Sequence, residues 1–508
     1  MVDSFMLKIC DVPAPELPSD RYAVTVDGVP APAYRARVSR IPFDRVWPGH
    51  QRPMEQSELT AFLSFSSDRP GKVRVVPVRS FREAVVRPLS KNIVPERDGD
   101  ALSFTGCPGD RLSLELDGHH DNLQIFANRP AVWPSADRPG VRYFGPGTHD
   151  AGRICLHDGE TLVIDDGAVV YGSVVAEDVH HVRICGHGIL CNSVETRSLR
   201  FPSACLNYER MALPEELQSI ETLPDDVAQM ADAAYFSPKS LGCLNILRCD
   251  DVTVEGITFR DSSVWTATVI DSSHVTFDNV KTIGMWRYNA DGIDFCNSDH
   301  GVVRRSFLRN FDDVIVVKGI ADAKKPVTEE LLFEDNVVWC DWGRGFEIGA
   351  ETCAREIRHI VYRDSDILHG TYMHMDIQNG DSGHVHDVLY EDIRIEYSKY
   401  ETEPILQEDD AHEYTPKPQT HMPYLFLAEI RHGFWNIQPD PGRTSDIVLR
   451  NIAAVTDPGL PMPPIAVLGQ DDDHRVERVR FENVTVNGIP ITVDDVKRNN
   501  FTDDIAVL

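Results

Sequence analysis

Two short stretches of this chain concentrate carboxylates. One reads Tyr288-Asn289-Ala290-Asp291-Gly292-Ile293-Asp294; the other reads Asn310-Phe311-Asp312-Asp313 and runs through four apolar residues to Lys318-Gly319. Asp291 and Asp312 stand 21 residues apart. Three carboxylates brought close together cannot all ionise freely, so one is pushed toward its protonated form while the others stay charged. Hydrolysis of a glycosidic bond needs that division. An acid protonates the departing oxygen, and a carboxylate activates water or attacks carbon. A lone Asp here would be an ordinary turn residue, and only the triplet at this spacing carries the signal. Clustered carboxylates also suit a hard cation, so calcium chemistry stays open at this stage.

The elements that would bring these residues together recur along the chain. A phrase of apolar residues at alternate positions, closed by Asn, Asp or Gly, reads Val182-Arg-Ile184-Cys-Gly186, Val252-Thr-Val254-Glu-Gly256 and Val275-Thr-Phe277-Asp-Asn279. It returns at Ile360, Val388, Ile447 and Val479, with weaker copies at Val302 and Leu331. Between Val252 and Val388 the intervals are 23, 27, 29, 29 and 28 residues. Short strands at such a period, with no helices between them, predict a β-solenoid in which each strand pairs with its counterpart one coil on. The closing residue is expected in a backbone conformation that most side chains avoid. An offset of 21 residues, close to one coil, then stacks Asp291 beside Asp312 and Asp313.

The fold class expected is all-β, a right-handed parallel β-helix preceded by a β-sandwich. Residues 1–135 carry short alternating runs such as Tyr22–Val26, Lys72–Val76 and Leu112–Leu116 between Gly, Pro and Asp turns, which read as the sandwich. The Pro-rich stretch from Pro130 to Pro146 marks the boundary, and residues 136–508 read as the catalytic solenoid. Two stretches break the period. Residues 192–240 contain helical patterns at Pro214–Leu217 and Asp225–Met230, and residues 397–440 are rich in Pro, His and acid. Both read as insertions that wall a cleft or serve oligomer contacts.

Composition narrows the partners. The 508 residues carry 80 acidic and 50 basic side chains, a formal charge of −30. This argues against nucleic acid and anionic membranes as partners. No stretch of 18 apolar residues exists, so no membrane helix is expected. The first ten residues lack a basic start and a long apolar run, and the eleven cysteines form no C-x-x-C pair. Reduced thiols and a cytoplasmic location are the expectation.

At the carboxylate pair the pattern becomes specific. Asn289-x-Asp291-Gly292-x-Asp294, one coil ahead of Asp312-Asp313, resembles the signature of glycoside hydrolase family 28, the polygalacturonases. It also resembles that of the related family 49, the dextranases and isopullulanases. Gly145-Pro-Gly147, Gly167-Ala-Val-Val-Tyr171-Gly172, Gly186-His-Gly-Ile-Leu190 and Ser263-Val-Trp265-Thr266 are similar to the opening coils of bacterial family 28-like proteins. The leading sandwich is more like family 49. The resemblance implies Asp312 as general acid, with Asp291 and Asp313 holding and deprotonating the attacking water. It implies single displacement with inversion and no cofactor.

The departures bear on the substrate. Where family 28 has Gly-His-Gly, this chain reads Gly343-Arg344-Gly345, followed by Glu347 and Glu351. Where family 28 grips a uronate with Arg-x-Lys, it reads His374-Met-Asp376. Asp376, Glu347 and Glu351 are expected to repel a uronate, although Arg344 by itself could bind one. Lys318, Arg344, Glu347, Glu351, His374, Asp376, Trp286 and Trp342 are the candidate sugar contacts, the last two by ring stacking. His369, His374 and His384 form no compact zinc motif, and no metal is expected. The expectation is an inverting hydrolase of a neutral oligo- or polysaccharide, exo-acting on short chains. A lyase or glycosyl-transferring enzyme on the same fold, or a non-catalytic carbohydrate-binding protein, are the alternatives.

Overall fold

The computed structural model describes residues 6–40, 43–45, 57–193, 242–287, 289–321, 323–401, 403–407, 421–433 and 435–508. Two architectures follow one another along the chain. In the first, Tyr22–Val26 and Gly71–Pro77 pair antiparallel, and their buried residues alternate with more exposed ones as their β-branched patterns dictate. That sheet is completed by Val29–Pro30, Ala101–Gly106 and Glu96–Asp98. The second sheet holds Leu7–Ile9, Ser57–Ser67, Leu123–Asn128, Arg111–Leu116 and Ala84–Arg87, with Tyr34–Ser39 also on Ser57–Ser67. Val26, Val73, Val75, Leu112, Leu114 and Ile125 belong to one apolar core to which both sheets contribute.

From Val141 to Val507, the described residues form 31 strands of one continuous sheet wound on itself as a parallel β-helix. Its register follows the repeated phrase. Val182 pairs with Val252, Val252 with Val275, Leu331 with Ile360, Ile360 with Val388, Val388 with Ile447 and Ile447 with Val479. The closing residues Gly186, Gly256, Asn279, Asp364, Asp392, Asn451 and Asn483 all have positive φ, between 43° and 135°. That is the left-handed turn the sequence calls for.

One copy differs from its expected register. Thr276 pairs with Val302 and Gly301 with Leu331, so the inward position is Gly301, not Val302. A Cβ on Gly301 would lie 2.3 Å from the Phe295 ring and 2.8 Å from Leu331. The large neighbours fill the place of an inward side chain, and so the apolar pattern slips by one residue. Inside the coils Phe277, Phe295, Phe333, Tyr362, Tyr390 and Phe426 form a ladder with successive ring centroids 4.8–6.2 Å apart.

The sandwich packs on the helix through Tyr34, Phe62 and Phe126 against Ile189, Ile283, Phe307 and Trp339. Arg87 adds a buried ion pair to Glu396, and Arg111 pairs with Asp335 at 2.6 Å. The helical readings at Pro214–Leu217 and Asp225–Met230 lie outside the described residues. The second insertion is shorter than the sequence suggested. Tyr424–Ile430, inside 397–440, is a regular rung paired with Met373–Asn379, because Leu425, Phe426 and Ala428 supply core residues. Ile405–Gln407 pairs with Phe43–Arg45 of the N-terminal region.

Candidate active site

One face of the solenoid assembles the carboxylates. The strands Ile293–Cys296, Ile315–Gly319, Arg344–Thr352 and Met373–Asn379 lie side by side. Ile293 pairs with Ile315, a register of 22 residues, so Asp291 stands level with Asp313 and Asp312 falls in the turn just before it. Asp294 pairs with Val316, Val316 with Glu347, and Glu347 with Asp376. The alternate residues Ile293, Phe295, Ile315, Val317, Phe346, Ile348, Met375 and Ile377 belong to the core. Asp294, Glu347 and Asp376 therefore share the opposite face, as strand alternation requires.

Backbone constraints hold the turn. The Gly292 amide donates to the Asp313 carbonyl at 2.7 Å, and a Cβ on Gly292 would lie 2.1 Å from the Val314 carbonyl oxygen. Asn310 ties the two coils together. Its Nδ2 donates to the Asp291 carbonyl at 3.0 Å, and its Oδ1 accepts from Thr282 at 2.6 Å. The Tyr362 hydroxyl donates to the Glu347 carbonyl at 3.0 Å, linking the inner aromatic ladder to the acidic face.

Gly343 presses directly on the carboxylates themselves. A Cβ there would lie 2.3 Å from Asp313 Oδ1 and 2.5 Å from Asp312 Oδ1. Gly343→Ala is expected to push both carboxylates aside and to cost about 10²-fold in turnover, the scale of an ångström-sized misplacement. Circular dichroism should stay that of the wild type. Full activity in a folded Gly343→Ala protein would show that these carboxylates do not need their observed positions.

The electrostatics divide the cluster. Asp291 and Asp294 are 3% and 0% exposed. Burial, then the charges of Asp294, Asp312 and Asp313, raise the Asp291 carboxyl well above its ordinary pKa. Burial also raises Asp294, with Asp313 and Glu351 adding to it and Lys318 opposing. Asp313 goes the other way. Burial pushes it up, but Arg344, Glu347 and Lys318 outweigh burial and hold it below the usual carboxylate range. The Arg344 amide donates to Asp313 Oδ1 at 2.9 Å. Asp312 is only partly buried. One carboxyl held low and two pushed up therefore stand close together on this face.

The expected sugar contacts divide as well. Arg344 reaches Asp313 at 3.5 Å, Glu347 at 3.6 Å and Asp376 at 3.3 Å, and donates to Gln378 at 3.2 Å. Burial, then Asp313, raise Glu347; burial, with Glu429 adding and Arg344 opposing, pushes Asp376 up to about 7. Both oxygens of Asp294 and of Asp376 are buried without a hydrogen-bond partner. Lys318 is buried and donates to the Gly349 carbonyl at 3.0 Å and to Glu351 at 2.9 Å. Burial lowers His374 to about 3, and a Cβ on Gly370 would meet its ring at 2.6 Å.

The tryptophans are placed differently from the expectation of ring stacking. Trp342 belongs to the core, stacked on Phe311 and edge-on to Tyr372, because its coil needs a large inward side chain. Trp286 is 7% exposed and donates Nε1 to Asp261 at 2.9 Å. The candidate contacts had omitted Asp294, Asn310 and Gly343. Asp294 and Asn310 stand inside the two motifs and were legible there. The close approach at Gly343 has no sequence signal beyond the glycine itself.

Residues 230–425 match the family model described as glycosyl hydrolases family 28, a stretch that contains every carboxylate of the cluster. No curated protein matches the chain. Among solved structures, Dex49A from Penicillium minioluteum is 13% identical with a TM-score of 0.57, over 99% of this chain and 96% of that one. A family 28 exopolygalacturonase from Yersinia enterocolitica is 13% identical with a TM-score of 0.50, over 86% of this chain and 94% of that one. The structures attest the fold, and the family model likens the central coils, less than half of the chain, to glycosyl hydrolases family 28.

Proposed function

We propose that the protein hydrolyses a neutral oligosaccharide by single displacement at the turn that joins Asp291, Asp312 and Asp313. The observation that carries this reading is the register of Ile293 on Ile315, which levels Asp291 with Asp313 beside the more exposed Asp312. Asp313, held ionised by Arg344, takes a proton from water. Asp291, kept toward its protonated form, holds that water by hydrogen bonding. The water oxygen attacks the anomeric carbon as the glycosidic C–O bond breaks. The proton of Asp312 passes to the leaving oxygen. No glycosyl-enzyme forms.

Support for a neutral sugar differs from the repulsion expected of the sequence. Burial raises the Glu347 and Asp376 carboxyls, which weakens their charge. Arg344, the basic group in the place of the family histidine, is already shared among Asp313, Glu347 and Asp376. A uronate would have to take it from three carboxyl groups. Neutral oligosaccharides should therefore be cut in preference to oligogalacturonides when both are offered and products are read by chromatography. Rapid cleavage of a galacturonide with no neutral sugar accepted would overturn this and make Arg344 the carboxylate binder. Exo-action belongs to the same reading, and the same chromatograms should then show one small product from the first turnovers.

A further inference from the structure

Far along the sequence from the carboxylate turn, a second group of ionisable side chains sits where the sandwich meets the helix. The loop after Arg111–Leu116 turns through Asp117 and Gly118, both at positive φ. A Cβ on Gly118 would lie 3.1 Å from the Tyr400 ring, so this loop lies directly against the helix. The approach brings the His119 ring to 5.3 Å from His369 and 6.0 Å from Trp339, centroid to centroid. His369 is buried, with Nδ1 bonded to Glu401 and Nε2 to Glu115 at 2.8 Å. Arg87 Nε in turn donates to Glu115 at 2.9 Å.

One donor atom from each of His119, His369 and Glu401 lies within 4.8 Å of the other two, the one such set of three among the described residues. His119 Nδ1 is buried and has no hydrogen-bond partner. Two imidazoles and one carboxylate are a common set for zinc. The outer carboxylate is present too. Glu115 on the far nitrogen of His369 fixes that ring's orientation, as carboxylates do behind metal-bound histidines, and Arg87 fixes Glu115.

We propose that His119, His369 and Glu401 form a site for a divalent transition metal of the zinc class, which fastens the sandwich loop to the late coils of the helix. On binding, the hydrogen bond between His369 and Glu401 is replaced by a bond from each to the metal, and their shared proton passes to solvent. Water can complete the coordination. The site is separate from the carboxylate turn, and its loss leaves the hydrolytic groups in place.

Chelator-stripped full-length protein should be incubated with zinc chloride, desalted and assayed for metal by mass spectrometry. The expected result is one zinc per chain and a rise in Tm. Cobalt(II) in place of zinc should give the visible absorption of a four-coordinate site. His119→Ala and, separately, Glu401→Gln should lose the equivalent of zinc and the Tm rise, with far-ultraviolet circular dichroism retained. A wild-type chain that takes up no stoichiometric zinc would overturn the proposal, as would full uptake by both variants. Because the wild-type stoichiometry is decisive alone, a variant that fails to fold does not shield the idea. Zinc uptake is also read without any sugar, so it stands or falls apart from the hydrolytic reading.

Discussion

Asp312→Asn should abolish turnover on the true substrate while leaving the fold untouched. Asp312 sits in the turn before Ile315–Gly319 and is more exposed than Asp291 and Asp313, so it is the group of the three best placed to meet a leaving oxygen. The amide keeps the shape of the carboxyl and can still hydrogen-bond, but it has no acidic proton to give. A general acid contributes about 10²–10⁴-fold, and that loss is expected in kcat with KM nearly unchanged. The variant should unfold at the wild-type temperature, because the amide keeps the shape of this partly buried side chain. A purified Asp312→Asn enzyme that retains near wild-type rate would remove Asp312 from the mechanism.

The second large effect is on stability. Lys318 is 4% exposed and lies among Glu351, Glu347, Asp294 and Asp291. Burial alone would favour its neutral form, but these four acidic groups outweigh burial and hold the ammonium firmly charged. Lys318→Met fills a similar volume and removes the cation from a buried acidic face. Breaking a buried pair from one side typically costs about 3–5 kcal/mol, because the remaining charge has no comparable partner. Urea unfolding at neutral pH should show a lower midpoint with an unchanged slope. Activity should fall as well, since Lys318 helps to hold Asp313, the proposed base, below the usual carboxylate range. An unchanged midpoint would mean that the acidic row is neutral without help from Lys318.

Much of this architecture was legible in the residues. The apolar alternation of Val252-Thr-Val254 or Val388-Leu-Tyr390 fixes which side chains face inward, and the Asn, Asp or Gly that follows fixes the turn. The three aspartates could be placed on adjoining coils because solenoid spacing converts sequence offset into distance. The conversion has an error of a residue, as the register of 22 shows against an offset of 21. It fails where a coil substitutes Gly301 for an apolar side chain, since periodicity cannot see a position filled by neighbours. Trp342 is ambiguous for a related reason. An aromatic ring serves equally as core filler and as a sugar platform, and the sequence does not show the packing on Phe311. The joint at His119, His369 and Glu401 joins residues far apart in sequence, and spacing motifs cannot reach across such separations.

In the proposed single displacement, Asp291 and Asp313 present a water, and not themselves, to the anomeric carbon. Stereochemistry reads this directly. Proton NMR of the first product, recorded before mutarotation, should show a new reducing end whose anomeric configuration is opposite to that of the bond cut. Retention of configuration would mean that one of these carboxylates attacks carbon and forms a glycosyl-enzyme, which contradicts the roles assigned to all three.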